Sequence, residues 1–276
     1  MFWRTGSVIL PLPFAKTETL MQFYPEPDPT PTTALVTGAA HRIGRALALS
    51  LAADGWLVGL HYHRSAQAAQ DLAEEITRAG GHAFPIDANL ADEDEVQTLI
   101  PRLIGEIGSL GLLVNNASVF ENDQAMTATR ASWDMHMETN LRAPFVLSQG
   151  FAAQLPDGNS GSIVNVIDQR VWNLTPDFTS YTVSKAGLWA LTQMLSLALA
   201  PHIRVNAIGP GPTLPSKHQT DEQFAQQCRS MPLQRGASLD EMSAALRFIL
   251  ASPSMTGQMI ALDGGQHLGR ASGPEE

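Results

Sequence analysis

The sequence predicts one α/β domain built on a doubly wound parallel sheet with helices on both faces, and three observations carry that expectation. Short apolar runs alternate with amphipathic stretches of helical period along most of the chain. The first run, Thr33 to Thr37, passes at once into a glycine-bearing turn, Gly38-Ala-Ala-His-Arg-Ile-Gly44, and then into a helical pattern through about Asp54. A later run, Ser162 to Ile167, ends on Asp168, at the C-terminal end of a strand, where ligands bind in open α/β sheets. A length of 276 residues is compatible with one such domain, because open α/β sheets often exceed the usual domain size without splitting. The architecture is that of a Rossmann-type fold.

Residues 1 to 31 hold Pro11, Pro13, Pro25, Pro27, Pro29 and Pro31 without regular periodicity and read as an extended or disordered arm, with a start at Met21 also compatible. The domain occupies 32 to 276. After the first strand and helix, a second strand is expected at Trp56 to His61, a helix at Ala66 to Ala79, a strand at Ala83 to Ile86 and a helix at Asp92 to Glu106. Leu112 to Asn115 reads as the fourth strand. Residues from about Ala125 to Leu155 look largely helical, with Pro144 as the expected bend. The fifth strand leads through a loop to a helix that carries Tyr181, whose Ala186 to Leu199 stretch is apolar nearly all round and so faces the core or another subunit. A sixth strand at Ile203 to Ile208 runs into Gly209-Pro-Gly-Pro212. Residues 213 to about 235, polar and irregular, suit a substrate lid. A helix near Leu239 to Leu250 and a strand at Gln258 to Leu262 complete the domain.

Bulk properties exclude several functions. A formal charge of −10 argues against nucleic acid, whose phosphates need a basic face. Hydrophobic content of 44% and charged content of 16% fit a globular protein with part of its surface buried between subunits. The single Cys228 fits a reducing compartment. No apolar run reaches membrane-spanning length and the N-terminus carries no convincing cleavage signal, so a soluble cytoplasmic protein is expected. No metal site is expected. His61 and His63 share a strand face, but nothing is spaced to complete a ligand set, which leaves surface or cofactor contact.

The chemistry sits between Asp168 and Lys185. The chain has only three tyrosines, yet Tyr181 stands one helical turn before Lys185, so both side chains share a face. An ammonium beside a phenol lowers its pKa and makes the pair a proton donor and acceptor. The glycine turn offers helix amides to a pyrophosphate, although Arg42 stands where a third glycine is usual, and an ordinary strand-to-helix loop would look similar. The second strand ends without the acidic residue that binds a ribose 2′-hydroxyl. Arg64 and Ser65, with Arg42 nearby, suit a 2′-phosphate instead, so NADP(H) is the expected cofactor, against the alternative of a solvated basic turn. Asp87 could face the adenine. Phe120 could stack on an aromatic substrate or be a plain core aromatic.

Thr37-Gly38 with Ile43-Gly44, Asn115-Asn-Ala117, Asn140, Tyr181 with Lys185, and Pro210-Gly211 together resemble the short-chain dehydrogenase/reductase family over about residues 33 to 268. The resemblance implies Tyr181 as general acid, Lys185 as the residue that lowers its pKa and holds the nicotinamide ribose, and Asn140 as the anchor of a proton-relay water. Gly38, Arg42, Ile43, Gly44, His63, Arg64, Ser65, Asp87, Asn116, Ala117, Pro210 and Gly211 join Tyr181 and Lys185 as the expected cofactor contacts. One position departs from the family. Asp168 stands where the catalytic serine is usual, and a carboxylate would repel a developing carbonyl oxyanion. An acid there suits a nitrogen base, because a C=N bond that takes hydride at carbon must take a proton at nitrogen.

That feature, with the arginine in the glycine loop, His61-Tyr-His-Arg-Ser65 and Asn116-Ala-Ser118 before Phe120, resembles the pteridine reductases and the bacterial dihydromonapterin and dihydrofolate reductases. The resemblance adds Ser118 and Phe120 to Asp168 and Tyr181 as substrate contacts and implies a dimer or tetramer. The expected function is NADPH-dependent reduction of a dihydropterin or dihydrofolate. Reduction of another imine or a carbonyl compound is the alternative, and a non-catalytic NADP(H)-binding module is the third reading.

Overall fold

The computed structural model describes residues 29–216 and 219–269, so residues 1–28 of the expected arm lie outside the described residues. Seven strands, β1 (Thr33–Val36), β2 (Leu57–Tyr62), β3 (His82–Asp87), β4 (Leu112–Asn115), β5 (Gly161–Val166), β6 (Ile203–Pro210) and β7 (Met259–Leu262), form one sheet. Its order is β3-β2-β1-β4-β5-β6-β7, with every pair parallel.

Strand alternation sorts the core into two layers. Ala34, Val36, Leu112, Val114, Val164 and Ile208 point to one face and pack with side chains of α1 (Arg42–Ala53), α2 (Ala66–Arg78) and α8 (Leu239–Leu250). Leu35, Leu113, Ile163 and Val205 point to the other, against α3 (Glu93–Ile107), α5 (Ala143–Gln154) and α6 (Thr179–Ala198). Both faces are therefore covered, which is why the strands read as continuous apolar runs. The connection from β3 crosses over β2 and β1 to reach β4, so β1 and β4 lie side by side while their chains leave to opposite sides. This switch point opens a crevice at their C-terminal ends, bounded by the Gly38 turn and by Asn116.

Two expected segments differ. The stretch from 125 to 155 holds α4 (Arg130–Met137), a π turn (Glu138–Arg142) and α5 in one uninterrupted helical run, and Pro144, which has no N–H to donate, follows the π turn by two residues. The segment expected as a lid contains a helix, α7 (Asp221–Arg229), opened by a capping box of Thr220 and Gln223. Residues 29–31 are held rather than free, since Pro29 O accepts from Ser160 N (2.9 Å).

Candidate active site

The glycine turn is built for close approach. Gly38 is left-handed (φ 63°), and a Cβ on Gly44 would fall 2.2 Å from the Gly38 carbonyl oxygen. Arg42, where a glycine was the expected residue, takes φ 54° and so supplies the left-handed step itself. Asn116 Nδ2 donates to Thr37 O (2.8 Å), and Thr37 Oγ1 accepts from the amides of Asn116 (2.9 Å) and Ala117 (3.0 Å). These bonds lock the turn to the end of β4. His61 corrects the expected surface or cofactor role. It is buried at 2% exposure, accepts from Gly38 N at Nδ1 (3.0 Å) and so donates from Nε2 to Ala88 O (3.0 Å). Burial holds its pKa down at about 4, which keeps the ring neutral and the tautomer fixed.

The basic turn is open at the surface. His63 and Arg64 are exposed, and Ser65 precedes α2 without capping it by a side-chain bond. The first turn of α1 likewise carries no acid and no side-chain cap, so both helix starts can serve an anion. The donor set is compatible with a dinucleotide carrying a 2′-phosphate: Gly38, Ile43 and Gly44 would shape the pyrophosphate cradle and His63, Arg64 and Ser65 the phosphate end. Arg42 is placed differently, because its guanidinium donates to the Pro215 (2.8 Å) and Leu214 (3.2 Å) carbonyls and so ties the turn to the segment after β6. Asp87 is held by a two-pronged contact with Arg102, which also keeps its pKa low. Pro210 and Gly211 close β6 against β7, with Gly211 N donating to Leu262 O (2.9 Å). A side chain at 211 would run into the Asp263 backbone, 2.8 Å away.

The reacting groups converge from β5 and α6. Asp168, half-buried, accepts from the Tyr181 hydroxyl (2.9 Å) at one oxygen and from Arg170 N (2.8 Å) at the other. Lys185 is buried, donates to Val166 O (2.9 Å), and lies 5.9 Å from the Tyr181 ring centre. Burial lowers Lys185 to about 8 and raises the Asp168 carboxyl from its ordinary value. Tyr181 is also raised, by burial first and by the Asp168 charge second. This corrects the expectation that Lys185 lowers it: in the protein alone the ammonium is turned to the β5 carbonyl, and the nearest charge to the phenol is negative. Tyr181 is therefore a phenol at neutral pH, with Asp168 as its acceptor.

Asn140, on the π turn and fully buried, has all its bonding capacity used. It donates to Val119 O (3.0 Å) and Ser184 Oγ (3.1 Å) and accepts from Val119 N (2.8 Å) and Ser118 Oγ (3.2 Å). It thus joins the loop after β4 to α6. Phe120 stands edge-on to Tyr181 at 4.7 Å, and its face is stacked on Phe178 at 4.3 Å and 8°. Ser118 is exposed at the same mouth.

A buried network behind Tyr181 had no sequence signal, because its members lie far apart in the chain. His136 Nε2 accepts from Glu121 N (3.1 Å), so Nδ1 carries the proton and donates to Ser180 Oγ (2.7 Å), which in turn donates to Asp123 Oδ2 (2.5 Å). Asp123 also accepts from Ser180 N (3.0 Å) and Ser132 Oγ (2.9 Å). The chain of bonds fixes the first turn of α6 beside the residue that carries the hydroxyl. Among the described residues no group of His, Cys, Asp and Glu is arranged to hold a metal, and no helix is long and apolar enough to cross a membrane.

Residues 32–226 match the family model for short chain dehydrogenases. FolM alternative dihydrofolate reductase 1 from Brucella suis, solved with NADP, is 45% identical with a TM-score of 0.84, covering 88% of this chain and 97% of that one. The Brucella canis protein of the same name, also with NADP, gives 45% and 0.84 over 88% and 96%. The 3-oxoacyl-[acyl-carrier-protein] reductase FabG of Staphylococcus aureus is 34% identical over 241 residues, 86% of this chain and 98% of that protein. With the sheet order, the glycine turn and the Tyr181–Lys185 helix, these matches establish that the chain belongs to the short-chain dehydrogenase/reductase family.

Proposed function

We propose that this protein reduces a pteridine ring C=N bond with NADPH, taking a dihydropterin or dihydrofolate to the tetrahydro form in the cytoplasm. The observation that carries the reading is Asp168, bonded to the Tyr181 hydroxyl at 2.9 Å and raised in pKa by burial. The names of the Brucella neighbours support it. The cofactor is NADP(H), for which the turn at His63, Arg64 and Ser65 supplies the donors.

When bound, the nicotinamide supplies the hydride. The chain supplies the proton. Once the ring carbon accepts hydride, the adjacent nitrogen gains basicity, and the Tyr181–Asp168 pair is the proton source for it, relayed through water. Burial raises the Asp168 carboxyl from its ordinary value, which favours retention of that proton. Lys185, fixed by Val166 O, places a positive charge under the site, and Asn140 braces the loop that carries Ser118 and Phe120. Phe120 supplies an aromatic wall for a flat ring.

A second reading, reduction of a 3-oxoacyl thioester, is favoured by the identity to the Staphylococcus enzyme. Against it stands the acid at 168, which repels the developing oxyanion whenever it is ionised and replaces the neutral hydroxyl that would stabilise it. Steady-state rates with dihydrobiopterin, dihydromonapterin and dihydrofolate, set beside 3-oxoacyl thioesters and simple ketones, separate the two. Turnover of the carbonyl compounds with none of the pterins rules out the pteridine reading.

Assembly into a dimer or tetramer is part of the same proposal. On α6, Met194 is 66% and Leu197 82% exposed, beside a groove of about 430 Å³ lined by Met137, Leu141, Phe145 and Leu191 with Glu138 and Arg142. An apolar face of that kind is what a subunit contact covers.

A further inference from the structure

Phe120 is gripped through both of its chain neighbours, and the two grips come from one helical run. Asn140, on the π turn, accepts from Val119 N (2.8 Å) and donates to Ser184 Oγ on α6 (3.1 Å). His136, four residues earlier on α4 and likewise fully buried, repeats the pattern: it accepts from Glu121 N (3.1 Å) and donates to Ser180 Oγ on α6 (2.7 Å). Ser180 and Ser184 are themselves four apart, so one turn of α6 faces both side chains. Two rungs of the same construction thus join the loop after β4 to the turn that carries Tyr181.

The His136 rung allows one protonation state. Ser180 gives its only hydroxyl proton to Asp123 Oδ2 (2.5 Å), so the imidazole donates at Nδ1 and accepts at Nε2. Thr179 N donates to Asp123 O (3.0 Å), Ser180 N to Asp123 Oδ1 (3.0 Å) and Gln124 Nε2 to Asp177 Oδ1 (2.6 Å), which adds to the hold between the same two segments. The His136 ring lies edge-on to Tyr181, with 6.0 Å between centres. The ionisable groups around it are Asp123 and Glu121 from the loop and Tyr181 from α6, and burial lowers the imidazole pKa, which keeps the ring neutral. A proton on Nε2 would set N–H against the Glu121 N–H and release the loop.

We propose that His136 is a positioning residue for the reaction, which together with Asn140 fixes the aromatic wall at Phe120 relative to the Tyr181 hydroxyl. The inference rests on Tyr181 as proton donor in the reading given above. A substrate held at Phe120 then meets the hydroxyl in one register, and a misplacement of about 1 Å costs on the order of a hundredfold in rate.

Two variants cut the rung at different ends. The amide nitrogen of His136→Asn stands near the imidazole Nδ1 and keeps the bond to Ser180 alone, while His136→Gln reaches the Nε2 position and keeps the bond to Glu121 alone. Both are assayed as full-length protein at saturating NADPH, beside Ser180→Ala and the double variant His136→Asn/Ser180→Ala. Each single variant is expected to lower kcat about ten- to a hundredfold, with the KM for NADPH within about twofold. The double variant should fall within about twofold of the slower single one, because the bonds act as one chain. Wild-type turnover should decline on the acid side at the pH where nitrogen NMR shows the His136 ring taking its second proton, a readout that needs no variant to fold. Fluorotyrosine labelling reports without turnover: the Tyr181 line, assigned by its loss in Tyr181→Phe, is single in the wild type and shifts or splits in His136→Asn. Reduced stability in urea with kcat and the Tyr181 line unchanged overturns the proposal, since the network would then hold the fold alone. Wild-type activity that persists below the pH of imidazole protonation overturns it as well. Should the wild type reduce no pterin, the proposed function fails, and the role of His136 is decided by the Tyr181 line and by any carbonyl compound that is turned over.

Discussion

Replacing Asp168 by Asn removes the acid while keeping the shape. The amide side chain of Asp168→Asn would still present an oxygen to Arg170 N, now 2.8 Å from the carboxylate, so the short turn Gln169–Val171 keeps its N-terminal partner and the fold should persist. What is lost is the charge-assisted bond from Tyr181 and the capacity to hold a proton beside it. The first loss is modest: a bond to a charged group contributes about 1.5–3 kcal/mol and a neutral one about 0.5–1.5. The second is larger, since positioned proton transfer contributes roughly 10²–10⁴ in rate. We expect kcat on a dihydropterin to fall by about 10²–10³, equivalent to roughly 3–4 kcal/mol of transition-state stabilisation. NADPH affinity should stay within about threefold, because Asp168 lies outside the cofactor cradle.

The assay is NADPH oxidation across a pH series. The protonated acid is the active form, so wild-type activity falls as pH rises through the raised pKa of Asp168, and the Asp168→Asn variant lacks that limb. Stability moves the same way. A carboxyl whose folded pKa lies above its unfolded value carries a penalty that is absent at low pH and fully present above the folded pKa, so the amide variant gains on the wild type as pH rises. Turnover by Asp168→Asn within about threefold of wild type, with an unchanged pH profile, would refute the assignment of Asp168 to proton transfer.

Three further outcomes follow from the geometry. Tyr181→Phe should cost on the order of 10²–10⁴ in kcat while leaving NADPH binding nearly intact, measured by titration of cofactor fluorescence. Ser180→Ala strands the buried Asp123 carboxylate and His136 ring, and chemical denaturation should record a loss of about 2–4 kcal/mol; a change below about 0.5 would show that the network does not hold α6. Met194→Glu with Leu197→Glu places charge on the exposed α6 face, and sedimentation should show a smaller species than the wild type if that face joins subunits.

The sequence made the sheet legible because each strand is covered on both faces and so stands out as an apolar run between polar ends. Asp168, Tyr181 and Lys185 were legible for a different reason: one strand end and one helical turn bring them together without help from distant segments. Their electrostatics were not. Whether Lys185 lowers the Tyr181 pKa depends on where the ammonium points, and Val166 O claims it. His61 looked exposable in an alternating strand, but β2 lies inside the sheet and the ring is spent on Gly38 and Ala88. The helix at Asp221–Arg229 has no apolar face to betray it, although its Thr220–Gln223 capping box was readable. Arg170, Phe178 and the Asp123–Ser180–His136 chain depend on how loops from three parts of the molecule meet, which no local pattern encodes.

In the proposed reaction hydride goes to a ring carbon of a C=N bond rather than to a carbonyl. A dihydropterin that also bears a ketone on its side chain offers both bonds to one active site. With NADPH deuterated at its transferable position, deuterium is expected on the ring carbon beside the newly protonated nitrogen, with the ketone intact. Deuterium on the side-chain carbinol, with the ring bond unreduced, would contradict it.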